Sequence, residues 1–281
     1  MTTTKNLFDN LKDALSTKDV VESPLKDFLK FEVDKTYIVR LIPNRENPKL
    51  TRFHYYQHLF KSIVTNKLVS CLCPHTYGEK CPIDEYRSKV YYQKNETLIE
   101  QSRPLKRNEK WLYNVYVIKD PTNPENQGQV KIINVGSQLQ NIIQSAIDGD
   151  DAEEFGADKI FDLSPNGCNL KIKVDKGGMS VVYTASKFMA PSAIEGLDDV
   201  DSVYSQFKPL DTIYTHKSYD EIKSLMDVHF FGIDATEKQL APVIEDNKED
   251  KDDFSIPQKV VSSESVLSET DKKMQDILKD L

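Results

Sequence analysis

The chain has 281 residues, 38% of them apolar and 29% charged, with a formal net charge of −8 and a mean hydropathy of −0.54. That length buries a sizeable core in one or two domains. No run of eighteen apolar residues is present, and polar residues and acids occupy the N-terminus where a signal peptide needs an apolar stretch, so the sequence reads as neither membrane-spanning nor secreted.

In chain order, residues 1–24 read as an amphipathic helical arm, with Leu7, Phe8, Leu11 and Leu15 spaced by three and four and Pro24 as its stop. Strand grammar follows. Thr36 to Ile42 is β-branched and aromatic up to Pro43, then come Phe53 to Phe60 and Lys67 to Ser70. Trp111 to Ile118 is halted by Asp120-Pro121, and Val130 to Val135 returns after a turn. Gln138 to Ile147 reads as a helix with Leu139, Ile142, Ile143 and Ile147 on one face. Asn169 to Val174 and Ser180 to Ala185 read as a hairpin across Lys176-Gly177-Gly178. Tyr219 to Phe230 predicts a second helix packed on the barrel through Ile222, Leu225, Met226 and His229. Many short strands and few helices predict a mainly β fold with peripheral helices (α+β): a small barrel with insertions. Residues 244–281 carry eleven acids against six lysines, too polar to order themselves. The body is left near neutral, free to carry a local basic stripe.

Two clusters carry chemistry. Cys71, Cys73 and Cys81 fall within eleven residues, between His58 and Asp84 and around His75. Soft sulfur and imidazole donors at this density suit tetrahedral zinc, in a closed structural clip. Cys71 and Cys73 compete for one ligand position, and Asp84 offers a weaker carboxylate. Cys168 stands apart and reads as a small packed residue. The second cluster begins with Arg87, Lys89, Tyr91, Tyr92 and Lys94 and continues through Arg103, Lys106, Arg107, Lys110, Trp111, Tyr113 and Tyr116. Cations can follow phosphates while flat rings receive unstacked bases, the design of a sequence-tolerant single-strand groove. Strand alternation puts Trp111 and Tyr113 on one face. No phosphate-binding loop, nucleophile elbow or His-Glu-x-x-His pair is present, so no enzyme is read here. The alternative is a zinc-stapled protein-interaction scaffold without nucleic-acid binding.

From about Tyr37 to Phe188 the chain resembles the single-stranded DNA-binding proteins of T-even-type bacteriophages, which destabilise helices in the replisome. The resemblance is carried by Ile38-Val39-Arg40-Leu41-Ile42-Pro43, the His58-to-Asp84 cluster, Leu105-Lys106-Arg107, Lys119 to Gly128, and Tyr183-Thr184-Ala185-Ser186-Lys187-Phe188. The acidic C-terminus ending in Asp276-Ile277-Leu278-Lys279-Asp280-Leu281 matches the layout too. It implies an OB-fold core at 25–243 with a zinc subdomain at about 54–100, between a self-association arm (1–24) and a partner-binding tail (244–281). His58, Cys71 and Cys81 fall on zinc ligands, a shifted register would use Cys73, and Asp84 stands where the family has a cysteine. The arm lacks the family's basic motif. The candidate DNA-binding residues are Arg40, Tyr91, Tyr92, Lys106, Arg107, Trp111, Tyr113, Tyr183 and Lys187. The implied function is to coat single-stranded DNA in phage replication, recombination and repair in the host cytoplasm. The tail would recruit replisome and recombination proteins.

Overall fold

A computed structural model describes residues 24–178 and 180–233; the arm and the acidic tail expected at the two ends lie outside the described residues. Eight strands form a mainly antiparallel sheet that curls into a half-barrel: β1 (Lys35–Leu41), β2 (Arg52–Lys61), β3 (Leu68–Leu72), β4 (Arg107–Lys119), β5 (Val130–Val135), β6 (Cys168–Gly177), β7 (Ser180–Val182) and β8 (Lys187–Pro191). Their order is β3-β2-β4-β1-β6-β7, with β5 on β4 and β8 on β6. The long strand β4 makes the curl possible. Its first half pairs with β2, from Arg107↔His58 to Tyr113↔Arg52, and its second half pairs with β1, from Val115↔Leu41 to Lys119↔Ile38. Its middle also pairs with β5.

Helix α3 (Ser137–Asp148) fits the predicted span and buries Leu139, Ile143 and Ala146 against Val39, Tyr113, Val115 and Ile133 of the sheet. Two further helices, α1 (Pro82–Tyr92) and α2 (Glu96–Ser102), occupy the basic and aromatic segment. Pro82 in the first turn of α1, with Asp84 and Glu85 beside it, matches the fixed φ and positive N-terminal dipole of a helix start. The Asn95 side chain accepts from the Leu98 N–H and caps α2. Two short helices, α4 (Gly156–Ile160) and α5 (Val200–Ser205), precede α6 (Tyr219–His229), which opens on a capping box between Ser218 and Glu221. Ile222 and Met226 of α6 pack with Phe60, Ile83 and Leu105 rather than on the main barrel core, so this helix closes over the cysteine region. No described helix is long and apolar enough to cross a membrane.

Three expectations are corrected. The second arm of the predicted hairpin ends at Val182; the Ser186 N–H then closes a turn onto the Tyr183 carbonyl, and β8 starts at Lys187. Tyr113 does not offer a stacking face. It is 1% exposed in the core, where its hydroxyl donates to Gln140 Oε1 at 2.9 Å. Arg40, expected to hold phosphate, is fully buried. Its Nε donates to Asn169 Oδ1 at 2.7 Å and its two terminal nitrogens donate to the carbonyls of Asp162, Ser164 and Ser192.

Gly167 completes this arrangement, because an added Cβ would overlap the Asp162 carbonyl and the Arg40 guanidinium. Gly167→Ala is therefore expected to cost about 1–3 kcal/mol, as overpacking of a tight site does. Thermal unfolding of the variant checks this, and an unchanged midpoint would mean the Arg40 site gives way freely.

Candidate functional site: a ring-lined cleft beside a metal-type cluster

Alternation along β2 puts His54, Tyr56 and His58 on one face, opposite Trp111, Glu109 and Arg107 of β4 in register. These cross-strand pairs form a continuous strip. The His54 and Trp111 rings stack at 5.1 Å and 15°, and His54 Nε2 donates to Glu109 Oε1 at 2.8 Å. The Arg107 guanidinium lies 4.8 Å from the centre of the Tyr56 ring, within cation–π range. His75, on the neighbouring turn, is exposed and packs its ring 5.4 Å from that of Tyr56. His54 and Tyr56 were visible to sequence reasoning through this two-residue period, but they were read there only as strand composition.

Helix α1 forms the opposing wall. Tyr56, Arg87, Tyr91, Tyr92, Lys106 and Arg107 line a cleft of about 540 Å³, with Asp84, Ser88 and Glu109 between them. Tyr91 and Tyr92 are 68% and 80% exposed, far more than packing alone requires of such rings. Lys106 is exposed, and the buried Arg87 Nε has no hydrogen-bond partner.

The structure therefore brings Tyr91, Tyr92, Lys106 and Arg107 together and sets Trp111 on the adjoining strip. Tyr183 and Lys187 lie farther along the rim. Val135 pairs with Trp111, Gly136 follows beside Lys110 Nζ, and Gln138 Oε1 accepts from the Tyr183 N–H at 2.9 Å. Tyr183 is half-buried against the main core, while Lys187 is exposed.

The metal-type cluster lies at the other end of the strip. Cys73 ends the β3 run as the N-cap of a 3-10 turn (Pro74–Tyr77), and Cys81 is the N-cap of α1. The left-handed Gly78 (φ +75°), which a side chain would strain, reverses the chain between them. Donor atoms of His58, Cys73, Cys81 and Asp84 all lie within 4.8 Å of one another. Cys81 Sγ is 3.3 Å from His58 Nε2, and Cys73 Sγ is 3.5 Å from Asp84 Oδ2. Tetrahedral zinc keeps its donors roughly 3.3–3.8 Å apart, a range that the His58–Cys81 and Cys73–Asp84 separations match. His58 Nδ1 donates to the Leu105 carbonyl at 2.9 Å, which fixes the ring and leaves Nε2 as the free ligand atom.

The two thiols titrate as one unit. Hydrogen bonding with Cys73, joined by His58, pulls Cys81 down, and the same bond with burial pushes Cys73 up. A ready thiolate at a helix N-terminus is a good metal donor. Cys71 is corrected: it is His58's register partner but its sulfur lies outside the set. Burial, followed by the Cys81 charge, pushes its thiol up to about 12, as for an inert packed cysteine. Arg107 joins the cluster to the cleft by donating to Asp84 Oδ2 at 3.0 Å. Burial opposes its charge, but Asp84, followed by Cys73 and Tyr56, together more than offset this and hold the guanidinium above its ordinary pKa.

A curled antiparallel sheet, with a ring-and-cation cleft beside a His/Cys/Cys/Asp cluster that could hold a metal ion, defines a protein of the β-barrel-like class. The chain belongs to the family described as "gp32 DNA binding protein like", whose model matches residues 34–228. It is 26% identical over 195 residues to the single-stranded DNA-binding protein of Enterobacteria phage T4, an alignment covering 68% of this chain and 63% of that protein. It is also 26% identical over 194 residues to the single-stranded DNA-binding protein of Enterobacteria phage T2, covering 68% and 62%. The chain thus matches less than two thirds of the length of these relatives.

Proposed function

We propose that this chain is a non-enzymatic protein that coats single-stranded DNA during phage DNA replication, recombination and repair. The observation that carries the reading is the strip together with the cleft it borders, where flat rings stand beside the cations Arg87, Lys106 and Arg107. The His54–Trp111 stack, the Tyr56–Arg107 pair and the exposed Tyr91 and Tyr92 offer faces to unstacked bases, while Lys106, Arg107 and Arg87 face the backbone. Tyr183 and Lys187 would extend the path along the rim. The core would be an OB-fold.

His58, Cys73, Cys81 and Asp84 would hold one structural Zn²⁺, which supplies no reaction chemistry. It would fix the start of α1 against β2. The 1–24 arm would mediate self-association along the strand. The tail, net −5 over residues 244–281, would compete for the cationic cleft and recruit replication proteins in the host cytoplasm.

Trp111 is the only tryptophan, so fluorescence excited selectively at tryptophan reports on the strip. Titration with poly-dT is expected to quench it, with affinity falling as salt rises by a log–log slope of about −0.7 per phosphate contacted. Trp111→Ala should weaken binding by about 1–3 kcal/mol, roughly 5- to 150-fold, the loss of one stacked base. Absence of both quenching and binding would move the reading to a zinc-stapled protein-interaction scaffold.

A further inference from the structure

The cleft against α1 and a second opening of about 520 Å³ over Cys81 and His75 share the side chains of Asp84, Ser88, Tyr92 and Arg107. The Asp84–Arg107 pair is therefore a partition between the metal-type cluster and the nucleic-acid face. A single oxygen of that partition is claimed twice. Asp84 Oδ2 accepts from Arg107 at 3.0 Å and lies 3.5 Å from Cys73 Sγ, and both Asp84 and Cys73 belong to the ligand set. Arg107 meanwhile rests its guanidinium over the Tyr56 ring at the mouth of the cleft, 37% exposed.

We infer that Asp84 is a positioning residue that couples the metal to the nucleic acid. When the ion takes Asp84 Oδ2, that oxygen becomes a poorer acceptor and Arg107 is released to a backbone phosphate. Without the ion, Asp84 holds Arg107 back. A bound cation is the largest local charge in such a site and resets the partners of its ligands. Arg107 already lies over Tyr56 at the mouth of the cleft, so the exchange needs only a side-chain rotation. The coupling is reciprocal: the factor by which metal tightens nucleic-acid binding equals the factor by which nucleic acid tightens metal binding. The inference rests on the single-strand-binding reading above and adds which residue carries the linkage.

The test measures Zn²⁺ affinity of the full chain by competition with a chromophoric chelator, with and without saturating oligo-dT. The wild-type protein is expected to bind Zn²⁺ about 5-fold or more tightly in the presence of the oligonucleotide. Arg107→Gln should bind Zn²⁺ without responding to it, and its salt slope for oligo-dT should match that of the metal-free wild type, about 0.7 shallower than that of the loaded protein. Should Arg107→Gln lose DNA binding outright, Asp84→Cys serves instead. It keeps Arg107 and four donors but removes the shared oxygen, and its Zn²⁺ affinity should be indifferent to oligo-dT. Coupling of full size in either variant overturns the inference, since the metal would then act by ordering the loop. A wild-type chain that binds oligo-dT with no change in Zn²⁺ affinity overturns it as well. Failure of the wild type to bind oligo-dT at all removes instead the reading on which it rests.

Discussion

Arg40→Met is expected to destabilise the protein by about 3–5 kcal/mol, the range seen when one partner of a buried charged network is removed. At roughly 2–4 °C per kcal/mol for a body of this size, the melting midpoint should fall by about 10 °C. The side chain is fully buried and ties β1 to three distant segments: the Asp162–Ser164 turn, Asn169 on β6 and Ser192 after β8. Methionine fills similar volume but leaves the Asp162 and Ser192 carbonyls and the Asn169 amide oxygen without their donor, in a place that water does not reach freely; the Ser164 carbonyl keeps the Gly167 N–H. Lysine should recover little, because a single ammonium cannot reproduce a planar fork whose Nε and terminal nitrogens point to separate acceptors. Burial also lowers the Arg40 pKa, the direction expected where the surroundings, and not bulk water, solvate the charge. Below its melting midpoint the variant should bind oligo-dT as tightly as the wild type. A variant that melts normally and loses DNA affinity would restore Arg40 to the interface.

Arg40 also shows where sequence reasoning stops. A cation in a strand reads as solvent-facing, and nothing within β1 reveals otherwise. Its acceptors lie 122 to 152 residues further along the chain, so its burial is a property of the closed half-barrel. Tyr113 misleads for a related reason: alternation places it correctly beside Trp111 on one face, but α3 covers that face from Tyr113 onward and leaves Trp111 at the edge.

Most strands were legible, β5 to the residue, because β-branched runs closed by Pro or Gly leave little choice, but β8 and the first four residues of β4 were not. Helices α1 and α2 were not. The surface of α1 is mostly charged and aromatic, α2 is only seven residues long, and only Pro82, Ile83 and Val90 of α1 and Ser102 of α2 are buried. The one usable signal was at the helix start, where Pro82 is followed by Asp84 and Glu85. That omission mattered, since α1 supplies one wall of the cleft and the fourth member of the ligand set.

The Cys71–Leu72–Cys73 ambiguity gives the second large prediction. Both thiols are buried and two residues apart, so composition and spacing treat them alike. The 3-10 turn after Cys73 separates them, returning the chain through Gly78 so that Cys73 meets Cys81 at the head of α1. Cys81→Ser and Cys73→Ser are each expected to reduce Zn²⁺ affinity by about 100-fold or more, beyond the 10- to 100-fold typical of losing a mere outer partner of a ligand. Cys71→Ser should leave the affinity unchanged and cost only about 1–3 kcal/mol of stability, the penalty of an underpaired hydroxyl among Phe60, Ile83 and Met226. The structural consequence of losing the ion should be local. Amide exchange from Cys73 to Tyr92 should accelerate in Cys81→Ser and in wild-type protein treated with a chelator. Strands β1, β5 and β6, whose core does not draw on the cluster, should keep their protection. Metal loss in Cys71→Ser as complete as in Cys81→Ser would put the sulfur of Cys71 on the ion, and the turn at Pro74–Tyr77 would then have to unwind to admit it.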